Sequence, residues 1–214
     1  MPISFLSRDQ EKSVFVWQIS EDEAVLNELA SLTPKENEVF GTFRSDSRKR
    51  QWLAVRALLN KVYGDKKVVL YTEDGRPNLS DGGFLSISHS DRYASVLIAN
   101  KPRLGVDIEA LSRNYVRVAP RFITQSERDI FSRQGVAEEY YLPIAWSCKE
   151  AAFKAAAHKN VDFTRDISIQ EITLDEGKNS GMLQVVFNPL SLKGNYKFTI
   201  VNDHILVWGV YEGL

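Results

Sequence analysis

Apolar positions along this chain recur with two different periods, and the period changes from segment to segment. Val14 to Ile19 is a short, nearly continuous apolar run of β-branched and aromatic residues, which predicts a buried strand. Thr33-Pro34-Lys35-Glu36 predicts a helix start, with Thr as N-cap, Pro at the first helical position and Glu closing a capping box. From about Ser47 to Tyr63 the period is helical. Trp52, Val55, Leu58, Leu59 and Val62 share one face, and Gly64 supplies a C-cap. Three strand-like runs follow, Lys67 to Thr72, Phe84 to Ser88 and Tyr93 to Ala99. A turn at Asn100-Lys101-Pro102 then leads into Leu104 to Ala110.

The second half repeats the plan. Helical stretches are expected near 113–119, 125–133 and 137–158, then strands near 167–174, 182–187, 196–201 and 205–211. Helices followed by runs of strands, rather than alternating βαβ units, predict an α+β fold with mostly antiparallel sheets. The expected division is 1–103 and 104–214. Thr33 to Phe40 and Thr124 to Phe131 also share Thr, Glu and Phe in register. Either an internal duplication or convergence on the same capping chemistry explains that echo.

Composition narrows the class. Hydrophobic residues make up 43% of 214 and charged residues 26%, as in a globular chain with a substantial core. A formal charge of −1 argues against a general nucleic-acid surface. The single cysteine, Cys148, excludes an internal disulfide and fits a reducing compartment. No secretory signal is evident and no apolar run is long enough to span a bilayer, so a cytoplasmic protein without membrane contact is expected.

Several segments carry candidate chemistry. Asp107 and Glu109 stand two apart on a strand and so share one face. They are either the polar face of a half-buried strand or oxygen ligands for a hard cation such as magnesium. Glu150 and Lys154 stand one helical turn apart beside Lys149, in an alanine-rich helix whose small residues admit close approach. Glu150 also fits a capping box with Ser147, or an ion pair with Lys154. Arg48, Trp52 and Arg56 recur at helical spacing, and arginine forks suit phosphates, though a solvated face around a core tryptophan has the same spacing. Ser88-His89-Ser90 ends a strand downstream of the Gly75-Arg76-Pro77 turn, without the frame of a hydrolase nucleophile elbow. Cys148 reads as packing.

In series, these segments resemble the Sfp-type 4'-phosphopantetheinyl transferases. The likeness rests on Gly75-Arg76-Pro77, Phe84 to Ser90, Gly105-Val106-Asp107-Ile108-Glu109 and Trp146-Ser147-Cys148-Lys149-Glu150-Ala151-Ala152-Phe153-Lys154, in that order and spacing. The resemblance implies two similar α+β halves, a pseudo-dimer with the active site between them. It implies magnesium at Asp107, Glu109 and Glu150, with Glu150 as base and Lys154 neutralising a pyrophosphate. It places Arg48, Arg76, Ser88 and His89 around coenzyme A, and we add Arg56 and Lys149 as candidate contacts. The implied reaction moves phosphopantetheine from coenzyme A to a serine of an apo acyl or peptidyl carrier protein and releases adenosine 3',5'-bisphosphate. A monomer is expected, serving fatty-acid, polyketide or nonribosomal peptide synthesis. Arg113, Arg117 and Arg121, read as a helical stripe, are candidates for carrier docking. The rival readings are a magnesium-dependent nucleotide pyrophosphohydrolase and a non-catalytic protein-binding module.

Overall fold

A computed structural model describes residues 3–64 and 68–212. The chain forms two compact units, Met1–Asn100 and Lys101–Leu214. The architecture is α+β, with one antiparallel sheet in each unit. Among the described residues, no helix is long and apolar enough to cross a membrane.

In the first unit, β1 (Ile3–Arg8) and β2 (Lys12–Gln18) precede α1 (Glu23–Ala30), α2 (Pro34–Gly41) and α3 (Asp46–Tyr63). Then come β3 (Val69–Tyr71), β4 (Pro77–Leu79), β5 (Phe84–His89) and β6 (Tyr93–Ala99). The sheet order is β1-β2-β6-β5-β4-β3. The expected α2 start is present as read, with Thr33 and Glu36 bonded reciprocally. Gly64 ends α3 in the left-handed region, at φ 69°. Lys67, in the expected third strand, lies outside the described residues.

Three elements were not visible in the sequence. β1 and β4 are one edge strand and one three-residue strand. α1 is an eight-residue helix that buries only Leu26 and Ala30. It is completed from outside, because the Asn60 amide on α3 donates to the carbonyls of Leu29 and Ala30.

α3 is more central than an amphipathic reading implies, since every residue from 51 to 59 is buried. Arg56 is only 3% exposed. Its Nε donates to Glu36 Oε1 at 3.3 Å, and its guanidinium stacks on Trp52 at 3.4 Å. The expectation that Arg56 binds coenzyme A is therefore corrected. Its charge is already neutralised by a buried carboxylate, and the face it shares with Trp52 is interior.

In the second unit, β7 (Leu104–Ala110) leads through turns and a 3₁₀ segment, Ala119–Arg121, into α4 (Gln125–Arg133) and α5 (Glu138–Ala156). β8 (Ile167–Leu174), β9 (Ser180–Phe187), β10 (Leu192–Val201) and β11 (His204–Glu212) complete it. The sheet order is β7-β11-β10-β9-β8. α5 packs along β7 and β11, and the core beneath it contains Phe122, Phe131, Tyr196 and Phe198.

The expected helix at 113–119 is not formed. The Tyr115 ring is buried, and its hydroxyl donates to the Ala110 carbonyl at 2.8 Å. Arg113 is drawn back to Glu109, and Pro120 follows within the 3₁₀ turn. Those tertiary anchors hold the segment in turns, so Arg113, Arg117 and Arg121 do not make a helical stripe.

The two units share more than capping boxes. In the second, Thr124 and Glu127 reproduce the reciprocal cap of Thr33 and Glu36. Each capping glutamate is buried, and each receives a cation from the long helix of its own unit, Arg56 to Glu36 and Lys149 to Glu127. Capping chemistry alone requires neither the burial nor the cation, so the shared device favours duplication over convergence.

Candidate active site

β7 presents Gly105, Asp107 and Glu109 toward α5. The glycine sets the approach. A Cβ at position 105 would lie 1.8 Å from the backbone oxygen of Ala151, so only glycine lets the strand reach the helix. The flanking residues Ala151, Ala152 and Ala155 are at most 1% exposed, which is why this part of α5 is rich in alanine. That close contact brings the acids of the strand and the charges of the helix together. Asp107 is 4% exposed, so it does not lie on a solvated strand face.

Each charge has a defined setting. Lys154 Nζ donates to Asp107 Oδ1 at 2.9 Å and to the Val106 carbonyl at 2.9 Å. Lys154 therefore bonds to the strand, and its helical-spacing neighbour Glu150 makes no hydrogen bond or ion pair among the described residues. Glu109 Oε1 accepts from the Trp146 indole at 3.1 Å and from Arg113 at 2.5 Å. Ser147, which could have capped a helix, is buried in the middle of α5.

The electrostatics follow from the geometry. Burial, then the Asp107 and Glu109 carboxylates, push the Glu150 carboxyl up to about 7, against the opposing pull of Lys154 and Arg113. Glu109 is raised by burial and by Asp107, while Trp146, Arg113 and Lys154 hold it down. Three carboxylates thus share one electrostatic neighbourhood with Lys154 and Arg113. Among the described residues no three acids, histidines or cysteines stand as a ready-made metal chelate. Two of the acids are instead held by Lys154 and Arg113. The oxygen-only donor set, and a partly buried Glu150 carboxylate without a hydrogen-bond donor, fit a hard divalent cation.

Lys149 departs from its expected role as a coenzyme A contact. It is fully buried, and its Nζ donates to Glu127 and to the Phe163 carbonyl at 2.8 Å. Burial lowers its pKa and Glu127 opposes that. Glu127 also accepts from the backbone of Ile169 at 2.9 Å, so one carboxylate ties α4, α5 and β8 together. The sequence marks Glu127 as the capping partner of Thr124 but not as the partner of Lys149. The available signal was a lysine inside an apolar helix, since a buried ammonium must find a carboxylate. Cys148 is wholly buried, and burial raises its thiol pKa, consistent with packing.

In the first unit, α3 and β5 bring two further candidates together. Arg48 lies in the first turn of α3 and His89 at the end of β5. Arg48 donates to His89 Nε2 at 2.6 Å, which makes that nitrogen the acceptor. Gln51 ties the same helix to the Ser90 carbonyl at 3.1 Å. Ser88 is buried, and its carbonyl accepts from the Ser95 hydroxyl. Arg76 lies at the β3–β4 turn, paired with Asp74 at 2.8 Å.

Comparison with known proteins bears on the second unit. Residues 103–203, which include β7, α4 and α5, match the family model of the 4'-phosphopantetheinyl transferase superfamily. Within this unit the chain is similar to that superfamily, and the matched residues include the Gly105–Glu109 and Trp146–Lys154 motifs. Enterobactin synthase component D of Salmonella typhimurium is 31% identical over 119 residues, covering 52% of this chain and 50% of that protein. The Escherichia coli O157:H7 protein of the same name is 33% identical over 105 residues, covering 48% and 50%. The 4'-phosphopantetheinyl transferase AcpT of Salmonella typhimurium is 32% identical over 66 residues, covering 30% and 34%. The chain thus spans about half the length of the first two relatives.

Proposed function

We propose that this chain transfers the 4'-phosphopantetheine group of coenzyme A to a serine hydroxyl of an apo acyl or peptidyl carrier protein. The carrying observation is the grouping of Asp107, Glu109, Glu150 and Lys154 across β7 and α5, within the residues that match the superfamily. Asp107, Glu109 and Glu150 would hold magnesium, which when bound offsets negative charge on the pyrophosphate oxygens.

The chain's own residues account for the remaining chemistry. The serine oxygen attacks the phosphorus that bears pantetheine. The bond from that phosphorus to the bridging oxygen breaks, and adenosine 3',5'-bisphosphate leaves. Glu150 takes the serine proton; its carboxyl is pushed up to about 7 in the metal-free chain, and bound magnesium would keep it ionised and able to accept that proton. Lys154, anchored by Asp107, places a positive charge where negative charge develops on the leaving phosphate. Arg48 and His89 would contact the coenzyme A phosphates with Ser88 and Arg76. An arginine has five N–H donors, so the bond to His89 leaves capacity for phosphate oxygens. The free, buried Cys148 fits a reducing compartment such as the cytoplasm.

The test is incubation with coenzyme A, magnesium chloride and an apo carrier protein, read by the intact mass of the carrier. A gain of one phosphopantetheine, lost in Asp107→Ala, supports the transfer. Consumption of coenzyme A in the absence of carrier would instead identify a pyrophosphohydrolase. Carrier binding without a mass change would identify a binding module.

A further inference from the structure

Arg113 lies outside every motif that the proposed reaction uses, yet it contacts the centre of the acid cluster. Its guanidinium bonds Glu109 Oε1 at 2.5 Å, the same oxygen that accepts the Trp146 indole at 3.1 Å. The guanidinium also lies 4.9 Å from the Trp146 ring centroid and 5.7 Å from that of Tyr115. Tyr115 is anchored in turn by its bond to the Ala110 carbonyl. The turn after β7 is thereby shaped to return an arginine to a carboxylate four residues back.

We propose that Arg113 is an internal counter-cation that holds Glu109 until a divalent cation takes its place, and so sets the metal affinity of the cluster. The inference rests on the reading of Asp107, Glu109 and Glu150 as a magnesium site. An arginine does not lose its proton at physiological pH, so the pair is relieved by displacement rather than by titration. Two effects then oppose the incoming ion. Arg113 must give up a short charge-assisted bond, and its positive charge repels a second cation in the same neighbourhood. Arg113 is exposed on one side and packs on the Tyr115 and Trp146 rings rather than on the sheet, so it can swing away without disturbing the sheet. Lys154 occupies Asp107 in a comparable manner, but it is also fixed to the Val106 carbonyl and serves the proposed reaction, so Arg113 is the cation free to be dispensed with.

The test is calorimetric titration of the whole chain with magnesium chloride alone, with neither coenzyme A nor carrier present. Arg113→Gln should bind about three- to tenfold more tightly than the parent, that is about 0.7–1.4 kcal/mol. Arg113→Lys, which keeps the charge but loses the planar fork and much of the stacking, should fall between them. Arg117→Gln removes an equal charge from an exposed neighbour and should change affinity less than twofold. Equal affinity in the parent and Arg113→Gln, with Glu150→Gln still weakening both, would overturn the inference and leave the metal site standing. Equal tightening by Arg117→Gln would also overturn it, by reducing the effect to general charge. Absence of saturable binding in every variant would overturn the metal site itself, and this inference with it.

Discussion

Replacing Glu150 with Gln should stabilise the metal-free protein, and only at neutral to alkaline pH. In the folded chain the carboxyl titrates near 7, against an ordinary value of 4.5. Below about 4.5 it is protonated in both folded and unfolded chains, and it contributes no difference. As pH rises from 4.5 to 7 the unfolded chain releases the proton while the folded chain keeps it, so stability falls. Above 7 both are ionised, and the folded state carries the full cost of a charge that is buried and placed near Asp107 and Glu109. That cost is about 3 kcal/mol, at 1.36 kcal/mol for each tenfold change in proton affinity. An amide of the same shape carries no such charge. Urea denaturation of metal-free parent and Glu150→Gln proteins should therefore give nearly equal stabilities at pH 4.5 and a gain on the order of 3 kcal/mol for the variant at pH 8. Magnesium at a hundred times its Kd should recover about 2.7 kcal/mol in the parent at pH 8 and much less in the variant. A gain independent of pH would show that the Glu150 carboxyl is not raised in the folded chain. A variant no more stable than the parent at pH 8 would refute the clustering itself.

Gly105→Ala should cost about 3 kcal/mol or more in thermal or chemical unfolding, because its Cβ meets a backbone oxygen that cannot move without shifting α5; an unchanged midpoint would refute the close approach. Glu127→Ala should destabilise by about 3–5 kcal/mol by leaving Lys149 charged and buried without its partner, and Glu127→Leu with Lys149→Met should recover much of the loss. Denaturation of the single and double variants checks this, and additive losses would contradict a direct pair. Lys154→Ala should lower turnover strongly with a modest effect on the KM for coenzyme A, measured by carrier mass under steady-state conditions. His89→Ala should weaken binding of coenzyme A more than that of coenzyme A lacking its 3'-phosphate, by calorimetry, and equal losses would remove His89 from that phosphate.

Local signals were sufficient for much of this protein. The capping boxes at Thr33 and Thr124, the Gly64 cap, β6, β7, α4 and β8 all follow from side-chain periodicity and terminus chemistry acting over a few residues. The pairing of Asp107 with Glu109 on one face followed from the two-residue repeat of a strand, and the place of Glu150 and Lys154 on a helix from its apolar spacing. The superfamily motifs were legible for the same reason, since each is a short contiguous run. α1 and the turn at 113–119 were not legible. The first is completed by an amide from α3, and the second is held out of a helix by bonds to Ala110 and Glu109. The partner of each charge was decided only by tertiary structure. Arg56 and Lys149 look like phosphate ligands in the sequence, but twenty and twenty-two residues away a buried glutamate neutralises each of them. Lys154 lies one turn from Glu150 but bonds Asp107, forty-seven residues earlier. Spacing along a helix or strand specifies which side chains share a face. Which opposite charge lies across from that face depends on how helix and strand pack, and here that packing is set by Gly105 against the backbone of Ala151.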